Sequence, residues 1–124
     1  MSYLELQFFS RQAQIGVTGV YRVDKATYLV PDDATYLMVD STFNPVDIFL
    51  PDAKTIRAGD TLRIKDVGGN SATNPISLYA RGTDPHPALN STVQYIDGSP
   101  SKTLDWNYSG IAISSDGSNW FIDP

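Results

Sequence analysis

The residues best able to do chemistry in this chain are carboxylates, because it has fourteen acidic residues but one histidine and no cysteine. Two carboxylates across a cleft could hydrolyse a glycosidic bond if an apolar pocket kept one of them protonated. The aspartates considered for such a pair are Asp32, Asp33, Asp97, Asp105 and Asp116. Four of them lie at predicted turns, where an Asp side chain usually binds its own backbone. We therefore predict no catalytic residues and no enzymatic activity.

His86 lies between Pro85 and Pro87 and is the only histidine. Without a second histidine or a cysteine, neither a multi-histidine metal site nor a thiolate zinc site can form. A calcium loop of the D-x-D-x-D-G type is absent as well. Residues 68–70 lack the Lys and the Ser or Thr of a phosphate-binding loop. We expect no metal and no cofactor.

Turn residues divide the chain into short β-rich segments, with Gly or Pro about every ten residues, which is typical of a sandwich or barrel. In residues 61–65, for example, Leu62 and Ile64 alternate with polar residues, as in a half-buried strand. We predict an all-β fold, a small β-sandwich or barrel of about eight strands. The segments assigned to strands or to alternating faces are 34–40, 46–50, 61–65, 76–80, 92–96, 104–108, 111–114 and 120–122.

The first thirty residues differ from the rest because they are apolar with little turn chemistry before residue 16. An edge strand, a short helix and an extended arm all fit this pattern. We assign residues 1–30 to an N-terminal arm or edge segment and residues 31–124 to the β-module. The apolar side chains that could dock this segment onto a partner are Tyr3, Leu4, Leu6, Phe8 and Phe9.

Two further groups of residues are candidates for contacts. Residues 81–90 form a polar loop stiffened by prolines, and we predict an exposed contact loop that includes Arg81, Asp84, Pro85, His86 and Pro87. Aromatic residues in strands belong more often to a core or a subunit interface than to a sugar-stacking face. We assign to the core or to a trimer interface the side chains of Tyr95, Trp106, Tyr108, Trp120 and Phe121.

Charge and hydropathy exclude two classes of partner. The net charge is −5 and the nine basic residues are scattered, whereas nucleic-acid binding needs clustered Lys and Arg. No segment approaches the roughly 20 apolar residues of a membrane helix. The first five residues lack the basic start of a signal peptide. We expect a soluble protein that neither binds nucleic acid nor inserts into a membrane.

Several short motifs follow one another between residues 32 and 122. Residues 64–76 read I-K-D-V-G-G-N-S-A-T-N-P-I and residues 114–122 read S-S-D-G-S-N-W-F-I. The others are D-A-T-Y-L-M-V-D at 33–40, N-P-V-D-I-F-L-P at 44–51, I-D-G at 96–98 and W-N-Y at 106–108. In this order they resemble a β-module of phage tail fibres and other virion projections. The resemblance implies a β-rich domain, usually trimeric, at a particle surface.

The resemblance also implies a function. A single short module after an apolar N-terminal segment looks like a capsid decoration (cement) protein or a short head fibre at the virion surface. Its partners would be two further copies of itself, in a homotrimer, and the major capsid protein. The alternative is a receptor-binding tip or a tail-fibre or baseplate component. Such a component would contact other tail proteins and recognise a host surface glycan or protein.

Overall fold

The computed structural model describes residues 18–83, 85 and 93–123. These residues form nine strands in two sheets and contain no helix, which confirms the predicted all-β class. The strands are β1 (Val20–Val23), β2 (Thr27–Leu29), β3 (Tyr36–Val39), β4 (Val46–Phe49), β5 (Thr61–Asp66), β6 (Ile76–Tyr79), β7 (Ser101–Leu104), β8 (Gly110–Ser115) and β9 (Trp120–Ile122).

From β1 to β6 the chain alternates between the two sheets. Strands β1, β3 and β5 pair in parallel in one sheet, and β2, β4 and β6 pair in parallel in the other. The last three strands pair antiparallel: β7 extends the second sheet, and β8 and β9 extend the first. The strand orders are β1-β3-β5-β8-β9 and β2-β4-β6-β7.

This winding sorts the connections to two ends of the molecule. The connections at 24–26, 40–45, 67–75 and 105–109 lie at one end, because each joins strand ends that the pairing places side by side. We call it the aromatic end, because its connections contain Phe43, Trp106 and Tyr108. The connections at 30–35, 50–60, 80–100 and 116–119 lie at the opposite end, where β1 also begins.

The core lies between the two sheets, where alternate residues of each strand point inward. In β5, for instance, Leu62 and Ile64 are buried while Thr61 and Arg63 are exposed, as the sequence pattern predicts. The large side chains that are almost fully buried include Leu37, Ile48, Leu50, Ile64, Ile76, Leu78, Ile96, Ile113 and Trp120.

Two strands lie within residues 1–30, the predicted N-terminal arm or edge segment. Strands β1 and β2 are paired as edge strands of the two sheets. Val20–Val23 and Thr27–Leu29 therefore belong to the sheets. The apolar cluster at residues 3–9 lies outside the described residues.

Two predicted strand segments are not strands. Of residues 93–96, the described part of the predicted strand 92–96, only Ile96 makes β-bridges, to Ser99 and Trp120. Residues 105–109 form a turn after β7 rather than an alternating strand, because the chain crosses here from the second sheet to the first. Tyr108 accordingly has a positive φ of 61°. The apparent alternation of residues 104–108 was therefore misleading.

Trp120 provides a test of the core. Its side chain is 1% exposed, and its backbone N–H donates to Tyr95 O at 2.9 Å. We expect Trp120→Ala to lower the free energy of unfolding by about 3–5 kcal/mol, since it removes a large buried side chain and leaves a cavity. Urea titration followed by circular dichroism measures this. Phe121→Ala, at the exposed neighbouring position, should have a much smaller effect; equal losses would contradict the described core.

Candidate docking surface

Asp66 lies at the centre of the aromatic end, and its side chain is fully buried. One carboxylate oxygen accepts the backbone N–H of Gly69 at 2.9 Å. The other accepts the backbone N–H groups of Ser71 at 3.1 Å and Tyr108 at 2.9 Å. The carboxylate thus connects the 67–75 loop to the 105–109 turn.

The charge state of Asp66 follows from this arrangement. Burial by itself raises the pKa of the carboxyl, but the hydrogen bonds from Tyr108, Ser71 and Gly69 together outweigh it and bring the pKa below the ordinary 3.8. The group is therefore ionised at neutral pH, and the three N–H donors compensate its buried charge.

Further bonds tie the 105–109 turn to the 67–75 loop. The Ser71 hydroxyl donates to Trp106 O at 2.5 Å, and the backbone N–H of Ala72 donates to the Asn107 side-chain oxygen at 2.9 Å. The Lys65 ammonium donates to the carbonyl of Tyr108. The turn is consequently fastened from Trp106 to Tyr108.

The 40–45 loop is joined to the same loop by two amides. The Asn74 amide donates to Ser41 O at 2.8 Å and Thr42 O at 3.2 Å. The Asn70 amide donates to the Thr42 hydroxyl at 2.8 Å. Thr42 in turn binds the carboxylate of Asp40 through its backbone and its hydroxyl. We call the loops 40–45, 67–75 and 105–109, together with Asp66 at the end of β5, the three-loop unit.

Three large aromatic side chains project from this unit into solvent. Phe43 is 92% exposed, Trp106 78% and Tyr108 61%. The ring of Tyr108 lies against Gly69, where a Cβ atom would overlap it. Their exposure at one end of a small domain makes this end a candidate interaction surface.

The five aromatic residues assigned to a core or an interface have different locations. Trp120 is in the core, one of the two predicted alternatives. The other four are exposed in the single chain, so the trimer interface is the alternative that stays a prediction for them. Trp106 and Tyr108 are at the aromatic end, whereas Tyr95 and Phe121 are elsewhere, beside the 116–119 turn and on the edge strand β9.

The predicted contact loop is only partly described. Arg81 is half-buried rather than exposed, with its Nε 3.9 Å from a carboxylate oxygen of Asp52. The same carboxylate accepts the side-chain amide of Gln94 at 2.6 Å, and Gln94 also accepts the backbone N–H of Ala53. Pro85 is exposed. The remaining members of this loop, Asp84, His86 and Pro87, lie outside the described residues.

Three of the five aspartates considered for catalysis, Asp33, Asp97 and Asp116, accept hydrogen bonds within the fold. Asp116 accepts the backbone N–H groups of Ser118 and Asn119, each at 2.9 Å, which lowers the pKa of its carboxyl. Asp97, in a two-residue turn with positive φ, accepts the backbone N–H of Ile122 at 3.2 Å.

Asp32 and Asp33 line a cleft of about 450 Å³ at the opposite end, between the 30–35 and 50–60 connections. Asp60 and Trp120 also line it. Asp33 accepts the hydroxyl of Tyr21 at 2.8 Å. In the described part of the chain, no three acidic or histidine side chains are grouped so that they could hold a metal ion. No helix there is long and apolar enough to cross a membrane.

No protein-family model matches this chain, and the search of curated proteins finds no significantly similar sequence.

Reasoning from the sequence missed Phe43 and the structural role of Asp66. The sequence did contain a signal for Asp66, because it is the Asp of the I-K-D-V-G-G-N motif. Asn70 and Asn74, from the same 64–76 segment, bind the 40–45 loop. Phe43 had no comparable signal, because a lone aromatic in a turn says nothing about which other loops lie beside it.

Asp66→Asn tests the three-loop unit. We expect a loss of about 2 kcal/mol in the free energy of unfolding at pH 7, because the amide replaces an acceptor with a donor that faces backbone N–H groups. Since the folded-state pKa is lowered, the wild-type carboxylate stabilises the fold above its ordinary pKa of 3.8, and this contribution disappears as the pH falls through the folded pKa.

The difference between wild type and Asp66→Asn should therefore shrink in acid, as measured by urea titrations between pH 7 and pH 2. Asp105→Asn is the control, because Asp105 is exposed and makes no hydrogen bond to a described residue. A pH-independent difference, or an equal loss for Asp105→Asn, would contradict the role given to Asp66.

Proposed function

We propose that this protein is a structural component of a virion surface, a capsid decoration protein or short head fibre that binds the major capsid protein. The observation that carries the proposal is that residues of the resembling 64–76 segment are also the ones that bond the loops to each other. Asp66, Asn70 and Asn74 belong to the segment that most resembles the phage module, and all three hold the three-loop unit together. This agreement supports a structural role for the segment in holding the loops together.

The direction of projection follows from where the N-terminal segment joins the fold. Gly19, just before β1, lies at the opposite end, where its carbonyl accepts the backbone N–H groups of Thr35 at 2.7 Å and Tyr36 at 3.1 Å. Docking of residues 3–9 onto a shell would attach the module by that end. Phe43, Trp106 and Tyr108 would then point away from the capsid.

Decoration of this kind stabilises the shell by linkage, because a protein that binds the assembled state shifts the equilibrium toward assembly. The role we propose requires no catalysis and no cofactor. A receptor-binding or tail-fibre role is the second candidate, and the exposed aromatics of the three-loop unit favour it.

We also propose a homotrimer. Each sheet has two edge strands, β1 and β9 in one and β2 and β7 in the other. Edge strands carry unpaired backbone groups, and assembly around an axis can cover them. We expect light scattering and sedimentation of the full chain at micromolar concentration to give three times the 13.6 kDa chain mass. A clean monomer would contradict this assembly.

The copy number of the chain in purified particles separates the two candidate roles. Quantitative mass spectrometry relative to the major capsid protein measures it. We expect hundreds of copies per particle, as decoration of a whole shell requires. A few to a few tens of copies would place the chain at a vertex or on the tail and favour host recognition.

Capsid attachment can be tested by removing residues 1–17. The truncation stops there because Gly19 is buried and β1 begins at Val20. We expect the truncated protein to keep its thermal unfolding temperature and oligomeric state but to lose binding to undecorated capsids in co-sedimentation.

Point variants within the same segment sharpen this test. The double variant Phe8→Ser, Phe9→Ser should reproduce the loss, whereas the control Gln12→Ala, Gln14→Ala should bind normally. Unchanged binding of the truncated protein would refute attachment through this segment.

A further inference from the structure

The aromatic end combines exposed rings with polar groups that have no internal partner. Asn107 uses its side-chain oxygen to accept Ala72 N–H, but its amide nitrogen has no hydrogen-bond partner among the described residues. The same holds within the described chain for the Thr73 hydroxyl and the Asp105 carboxylate, both exposed. The surface beside Trp106 is therefore amphipathic rather than a continuous apolar patch.

The charges at this end disfavour an anionic ligand. Arg22 is paired with Asp40 at 2.9 Å, and the Lys65 ammonium is bonded to the Tyr108 carbonyl. Lys25, in the 24–26 connection, is the other basic residue at this end, and it is exposed. The carboxylate of Asp105 stands beside Trp106 in a chain of net charge −5. Nucleic acids and acidic polysaccharides need clustered Lys and Arg, and the described residues of this end form no such cluster.

The rings are also presented on a backbone that is already ordered. The turn bearing Trp106 and Tyr108 is bonded to Asp66, Ser71 and Ala72, so a ligand does not have to immobilise it. Binding to a preorganised surface avoids part of the entropy loss that weakens association.

We propose that the aromatic end binds a neutral glycan. A sugar ring has an apolar C–H face and an edge of hydroxyl groups that both donate and accept hydrogen bonds. The rings of Phe43, Trp106 and Tyr108 match the face through stacking. The free amide of Asn107 and the carboxylate of Asp105 match the hydroxyl edge.

This inference deepens the second candidate role, recognition of a host surface. It does not depend on attachment to a capsid, because the proposed glycan site lies at the end opposite the start of β1. Glycan binding would be a property of the isolated full chain. A failure of either proposal is thus visible without affecting the other.

The first experiment applies the isolated full chain to a printed array of neutral and acidic microbial polysaccharides. We expect binding to neutral members, little effect of moderate salt, and no binding to acidic members such as alginate. The strongest neutral binder is then titrated into the protein while tryptophan fluorescence is recorded. The emission of exposed Trp106 should shift to shorter wavelength, whereas Trp120 is already buried.

Variants locate the site. Trp106→Ala should weaken binding about tenfold or more, in the range expected for a central aromatic contact. Tyr108→Asn and Phe43→Ala should also weaken it; Asn suits position 108 because it tolerates a positive φ. Phe121→Ala removes an exposed ring far from the three-loop unit and is the matched control for Phe43→Ala. Circular dichroism and thermal unfolding confirm that each variant is folded.

Three results would overturn the inference. One is the absence of binding to every neutral glycan on the array at micromolar protein. Another is glycan binding that Trp106→Ala and Phe43→Ala leave unchanged. The third is a loss of capsid binding in these variants without any glycan binding, which would make the aromatic end a protein-docking surface.

Discussion

The buried carboxylate of Asp66 is the interaction on which the aromatic end depends. An ionised group inside a protein is tolerated only when hydrogen bonds replace its water, and here three backbone N–H groups from two loops do so. Those donors come from turns that would otherwise leave polar backbone groups unpaired. Satisfying one charge thus determines the path of the 67–75 loop and of the 105–109 turn at once.

The winding of the chain gives the molecule two distinct ends. Because β1 to β6 alternate between sheets, every connection must run across an end of the sandwich, and successive connections collect there side by side. Loops that are distant in sequence, such as 40–45 and 105–109, can therefore share the 67–75 loop as a common support. The same winding starts β1 at the end opposite the aromatic end.

The aromatic residues show how position in this topology determines role. Trp120 is in a strand whose inner face meets the core, so its side chain is buried. Trp106 has the same side chain but lies where the chain crosses between sheets, and there it faces solvent. The same residue type is thus buried or exposed according to where the topology places it.

The sequence by itself determined the all-β class and strands such as β4, β5, β6 and β8, because alternation and turn residues act over a few neighbouring positions. It assigned Trp120 and Trp106 alike to a core or a trimer interface and did not distinguish the buried one from the exposed one. Only the tertiary structure decided the parallel winding, the edge strands β1 and β2, and the exposure of Trp106 and Tyr108. These features depend on which distant segments pair, as Leu104 shows: it is buried as the last residue of β7, and the crossing that follows turns Trp106 outward. Local pattern carries no information about such a crossing.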